Sequence, residues 1–145
     1  MDSNVFFYAK IQDKVFGKSC SRVLSGIASK EIDASTSALA ALEVANALRK
    51  YGRPDEVTDE VRAIFSLGID VYPLEPSDVR EAAEIYLEAK ISPYDCAHAA
   101  IMRRNGLSTI ISADKEFDRV KWLKRVDPKS LQASGDGTAP ALDQD

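Results

Sequence analysis

The chain has 145 residues, enough for one domain with a substantial core, and its composition shows neither a disordered nor a collagen-like bias. A formal net charge of −4 argues against broad nucleic-acid binding by charge alone, and no apolar run reaches the roughly 18 residues of a membrane span. The acidic, polar start Met1-Asp2-Ser3-Asn4 lacks the basic region of a secretory signal, and Cys20 and Cys96 have neither metal-ligand spacing nor a disulfide framework, so packed free thiols in a cytoplasmic setting are expected.

Val15 to Ser29 carries apolar residues at amphipathic helical spacing, and Glu31 to Thr36 reads as a modest strand. Ser37 is a good N-cap for a helix through Leu39, Leu42, Ala45 and Leu48, stopped by Gly52. Pro54 suits the first turn of the next helix, which shows Val57, Val61, Ile64 and Phe65 on one face and ends at Gly68. Ile69 to Leu74 reads as a short strand, and Ser77 as the cap of a helix holding Val79, Ala82, Ala83, Tyr86 and Leu87. Ser92-Pro93-Tyr94-Asp95 starts a further helix that runs to Asn105 and stops at Gly106. Leu107 to Ile111 is the best strand, and Lys124 to Val126 adds a short edge strand. From Ser130 the composition predicts a disordered tail, so the domain is expected over residues 1–128 and the tail over 129–145. Short strands alternating with helices predict a three-layer α/β/α domain with a short, mainly parallel sheet.

Four acids lie beside runs that should be buried: Asp2, Glu43, Asp95 and Asp114. Each has an ordinary explanation alone. Asp2 is a charged terminal residue, Glu43 borders a helix's apolar stripe, Asp95 favours a helix N-terminus, and Asp114 suits a turn. Together they are harder to explain, because two carboxylates about 4 Å apart repel by roughly 4 kcal/mol at an effective dielectric near 20. A cluster of four calls for a divalent cation, Mg²⁺ or Mn²⁺ in an oxygen-only set. His98, the only histidine, sits among alanines and reads as a packed side chain. Phe6, Phe7 and Tyr8 read as core, and Arg103, Arg104, Lys121 and Lys124 as candidate phosphate contacts that also fit a solvated face.

Four segments, in order, resemble the PIN-domain ribonucleases. They are Asp2-Ser3-Asn4-Val5-Phe6-Phe7-Tyr8-Ala9, Ser37 to Leu48 around Glu43, Tyr94-Asp95-Cys96-Ala97-His98-Ala99-Ala100, and Ile111-Ser112-Ala113-Asp114-Lys115-Glu116-Phe117-Asp118. The resemblance implies a Mg²⁺- or Mn²⁺-dependent endoribonuclease in which Asp2, Glu43, Asp95 and Asp114 are catalytic metal ligands. It makes Asn4, Ser112 and Asp118 supporting or substrate-facing residues. Its VapC-like toxin branch implies an RNA substrate, a small antitoxin as partner, and a homodimer. A housekeeping RNA-processing nuclease and an inactive PIN-fold binding module are the alternatives. The family also places a central strand ahead of its first acid, where this sequence has only Met1.

Overall fold

The computed structural model describes residues 1–131. Six helices and four short strands alternate: α1 Ser3–Ile11, α2 Gly17–Ala28, β1 Thr36–Ser37, α3 Ala38–Lys50, α4 Val57–Phe65, β2 Val71–Tyr72, α5 Pro76–Ala89, α6 Pro93–Arg104, β3 Thr109–Ile111 and β4 Lys124–Val126. The strands form two parallel pairs, β1 with β2 (Thr36 opposite Val71) and β3 with β4 (Thr109 opposite Lys124).

Between the two pairs lies the N-terminus. The Met1 ammonium donates to the Ser35 carbonyl at 2.7 Å, the Thr36 hydroxyl donates to the Met1 carbonyl at 3.0 Å, and Asp2 N–H donates to the Ile111 carbonyl at 3.0 Å. Met1 and Asp2 thus bond to both pairs, in the order β2, β1, Met1–Asp2, β3, β4. Beyond Met1 the slot opens into a cavity of about 370 Å³ lined by Ala34, Ser35, Tyr72, Met102, Leu107 and Ile110, among others. Burial holds the Met1 ammonium down to about 6, against a smaller opposing effect from Asp2.

The strands are shorter than the sequence predicts, for identifiable reasons. The chain after α2 closes a tight turn, with Glu31 and Ile32 N–H both donating to Gly26, so pairing begins only at Thr36. Pro73 lacks the N–H needed to extend β2. β3 has only Asp2 as a neighbour on its inner edge. The β4 strand falls where it was predicted.

Alternate residues of β3 serve opposite faces. Ile110 packs with α5, α6, Phe117, Val120 and Leu123, whereas Ile111 packs against Val5, Cys20, Val23 and Ile27 of α1 and α2. A third cluster joins Phe6 of α1 to Ala41, Val44 and Leu48 of α3 and Ile64 of α4. The layers predicted from the sequence are therefore present, with helices on both sides of a minimal parallel sheet. Phe6 is core as expected, while Phe7 and Tyr8 are half-buried.

Two helix starts differ from expectation. Residues 3–11, unassigned from periodicity, form α1 because the Asp2 carboxylate accepts from Ser3 N–H as its N-cap. α5 is capped by Glu75, not Ser77: Pro76 takes the first helical position, and Glu75 and Asp78 close a reciprocal capping box. Asp78 is buried and receives both Nε and an NH2 of Arg104 at 2.8 and 2.9 Å. Both cysteines are buried and free, and burial pushes the Cys20 thiol up to about 12, which leaves it inert. The expected tail from residue 129 falls mostly outside the described residues.

Candidate functional site

Asp2 is buried where the N-terminus meets the exit of β3. Its Oδ1 accepts from Ser3 N–H at 2.7 Å, and its Oδ2 accepts from Asn4 Nδ2 at 2.8 Å and from Ser112 Oγ at 2.6 Å. Ser112 Oγ in turn accepts from Asp114 N–H at 3.0 Å, and Asn4 Oδ1 from Ala113 N–H at 3.3 Å. Asn4 and Ser112 therefore tie the first acid to the loop bearing the fourth. Ser112 has no exposed surface, so its bond to Asp2 is sheltered from water.

Asp114 caps the short 3₁₀ turn Lys115–Arg119 by accepting from Glu116 N–H at 2.9 Å. Glu43 lies one turn into α3, half-buried between exposed Leu42 and fully buried Val44. Its Oε1 takes a hydrogen bond from His98 Nε2. Asp95 is the third residue of α6, with Ser92 Oγ as N-cap accepting from Tyr94 N–H at 3.2 Å.

These acids converge. Ligand atoms of Asp2, Glu43 and His98 lie within 4.8 Å of one another, as do those of Asp95, Asp114 and Glu116. Asp95 couples the two groups electrostatically. Burial, followed by the charges of Asp2, Asp114 and Glu43, pushes its carboxyl up to about 7, with His98 acting in the opposite sense. No side-chain donor among the described residues compensates it. The cluster supplies hard oxygen ligands at a spacing suited to divalent cations, with one imidazole at the back, so the residues fit Mg²⁺ or Mn²⁺ by donor chemistry.

Asp118 sits apart from this cluster, on the far side of the turn. It is exposed and paired with Arg125 Nε at 2.9 Å; Arg125 also donates to the Ser112 carbonyl at 3.0 Å. Arg104 is committed to Asp78 and Arg103 to Glu81, while Lys121 and Lys124 remain exposed. Two neighbours escaped the sequence reading. Glu116 was within reach of it, two residues beyond Asp114 in a tight turn. The pairing of His98 with Glu43 was not, because it joins residues 55 positions apart.

No curated protein matches the chain. Among solved structures it is similar to VapBC2 from Rickettsia felis bound to a DNA fragment from its promoter, with TM-score 0.65 and 16% identity over 86% of this chain and 93% of that one. It is likewise similar to FitAB bound to the IR36 DNA fragment, with TM-score 0.63 and 17% identity over 92% of this chain and 97% of that one. At such identities the likeness is one of fold. A family model described as "PIN domain" matches residues 1–123, covering all four acids and the strands β1 to β3. The chain belongs to the PIN-domain family.

Proposed function

We propose that this protein is a Mg²⁺- or Mn²⁺-dependent endoribonuclease that hydrolyses RNA phosphodiester bonds, and that it serves as the toxin of a type II toxin–antitoxin pair. The observation that carries the reading is the convergence of Asp2, Glu43, Asp95 and Asp114 from four separate segments onto one half-buried acidic bowl. PIN domains are generally divalent-metal nucleases, and Asp95, desolvated and without a donor, is the carboxylate most in need of a cation. The likeness to VapBC2 and FitAB supports the toxin branch. A small antitoxin covering the bowl, a homodimer and a cytoplasmic setting belong to the same proposal. No helix among the described residues is long and apolar enough to cross a membrane.

Asp2, Glu43, Asp95 and Asp114 would hold the cation, which when bound supplies an activated water and neutralises charge developing on the phosphoryl group. The chain's own task is to hold oxygens in place. Ser3, Asn4 and Ser112 leave Asp2 no freedom to turn, and the 3₁₀ turn fixes Asp114. Asp118 acts at one remove, holding Arg125 against the Ser112 carbonyl. His98 is buried with its Nε2 engaged by Glu43, and metal-activated water leaves no need for a side-chain nucleophile.

The test is cleavage of structured RNA with Mg²⁺ by wild type and by Asp95→Asn. Cleavage that needs the cation and falls at least about 100-fold in the variant supports the reading; equal rates remove Asp95 from the mechanism. Growth arrest on expression, relieved by a co-expressed antitoxin, distinguishes a toxin from a housekeeping nuclease.

A further inference from the structure

We propose that His98 is a positioning residue that holds Glu43 in its metal-binding orientation; this inference rests on the nuclease reading. His98 is only 5% exposed, and each ring nitrogen faces a specific partner from α3 or its cap. Nε2 meets Glu43 Oε1, and Nδ1 lies 3.5 Å from Ser37 Oγ. Ser37 Oγ accepts the Ala40 N–H at 3.0 Å as the cap of α3 and keeps a second lone pair and its own hydrogen with which to meet Nδ1. Nε2 carries the hydrogen that Glu43 accepts, because a carboxylate has none of its own to offer. The helix cap thus anchors the ring, and the ring sets the carboxylate.

A buried histidine in a purely structural role needs only to satisfy its nitrogens. Here one of its partners is a carboxylate that retains 28% side-chain exposure and lies within 4.8 Å of Asp2. The bond at Oε1 restrains the carboxylate and leaves Oε2 without a side-chain hydrogen bond among the described residues. Glu43 has three side-chain torsions, more than any aspartate in the bowl, and is the ligand with most freedom to lose. Asp2 is already locked by four donors and Asp114 by its own turn. His98 does for Glu43 what Ser112 and Asn4 do for Asp2. Partners of this kind typically govern 10- to 100-fold of metal affinity.

The experiment is calorimetric titration of the metal-free full chain with Mn²⁺, comparing wild type, His98→Gln and His98→Leu, with melting temperatures recorded beside it. The glutamine amide places an N–H near the position of Nε2, whereas leucine fills the space without a donor. The expected result is roughly 10- to 100-fold weaker Mn²⁺ binding in His98→Leu and recovery to within a few-fold of wild type in His98→Gln. A structural role alone would lower melting temperature and leave affinity unchanged. Equal affinity in wild type and His98→Leu overturns the proposal, as does His98→Gln binding as weakly as His98→Leu. Should His98→Leu fail to fold, His98→Asn replaces it, since the shorter amide does not reach Glu43. Wild type that takes up no Mn²⁺ overturns the metal-nuclease reading itself, and the positioning role with it.

Discussion

Replacing Asp95 by asparagine should make the metal-free protein more stable while removing its proposed activity. The Asp95 carboxyl is raised from 3.8 to about 7, chiefly by burial and then by Asp2. Each unit corresponds to about 1.4 kcal/mol, so a shift of roughly three units sets a ceiling near 4 kcal/mol at neutral pH. The side chain is only half-buried and partly screened by solvent, which brings the expected gain to about 1–2 kcal/mol. In a domain of this size that is a rise of several degrees in melting temperature. Because the folded-state pKa lies above the unfolded one, the folded protein binds more protons between about pH 4 and 7. Wild-type stability therefore falls as pH rises through that window, and Asp95→Asn removes this component. The assay is thermal melting in EDTA near pH 5 and near pH 8, with and without added Mn²⁺. The gain should be largest near pH 8, and Mn²⁺ should stabilise wild type far more than the variant. A variant less stable than wild type at pH 8, or a difference that ignores pH, would refute the argument that Asp95 is an uncompensated charge.

Further predictions follow from the same contacts. Ser112→Ala removes the donor to Asp2 and the acceptor for Asp114 N–H; a loss of about 1–3 kcal/mol by urea denaturation and at least tenfold weaker Mn²⁺ binding are expected, and unchanged values of both would count against the network. Asp78→Ala removes the buried partner of Arg104, leaving it Glu75 at 3.3 Å and the Pro73 carbonyl, and opens the capping box of α5, so a loss of about 1–3 kcal/mol is expected; under about 0.5 kcal/mol would show the pair to be marginal.

Much of the architecture was legible because its signals are local. Ser37 and Ser92 as caps, Gly52 and Gly106 as stops, and the β-branched run into Ile111 act within a turn or two of chain, and they mark the observed elements to within a few residues. The N-cap competition before α5 is local too, but a proline at the first helical position shifted the boundary toward Glu75. The four acids were legible as a set through their flanking motifs, not through any property of each acid alone.

What the sequence by itself determined is the list of parts: an alternating α/β domain, four carboxylates each beside a buried run, and two serine-capped helices that carry Glu43 and Asp95. Only the tertiary structure decided how those parts meet. It set Met1 and Asp2 between two strand pairs, withdrew Asp118 and Arg104 into ion pairs, added Glu116 to the acidic bowl and placed His98 behind Glu43. The physical reason is range. Caps and periodicity act over three or four residues, whereas the burial that pushes Asp95 upward and the contacts that restrain Glu43 arise between residues tens of positions apart, which no local pattern encodes.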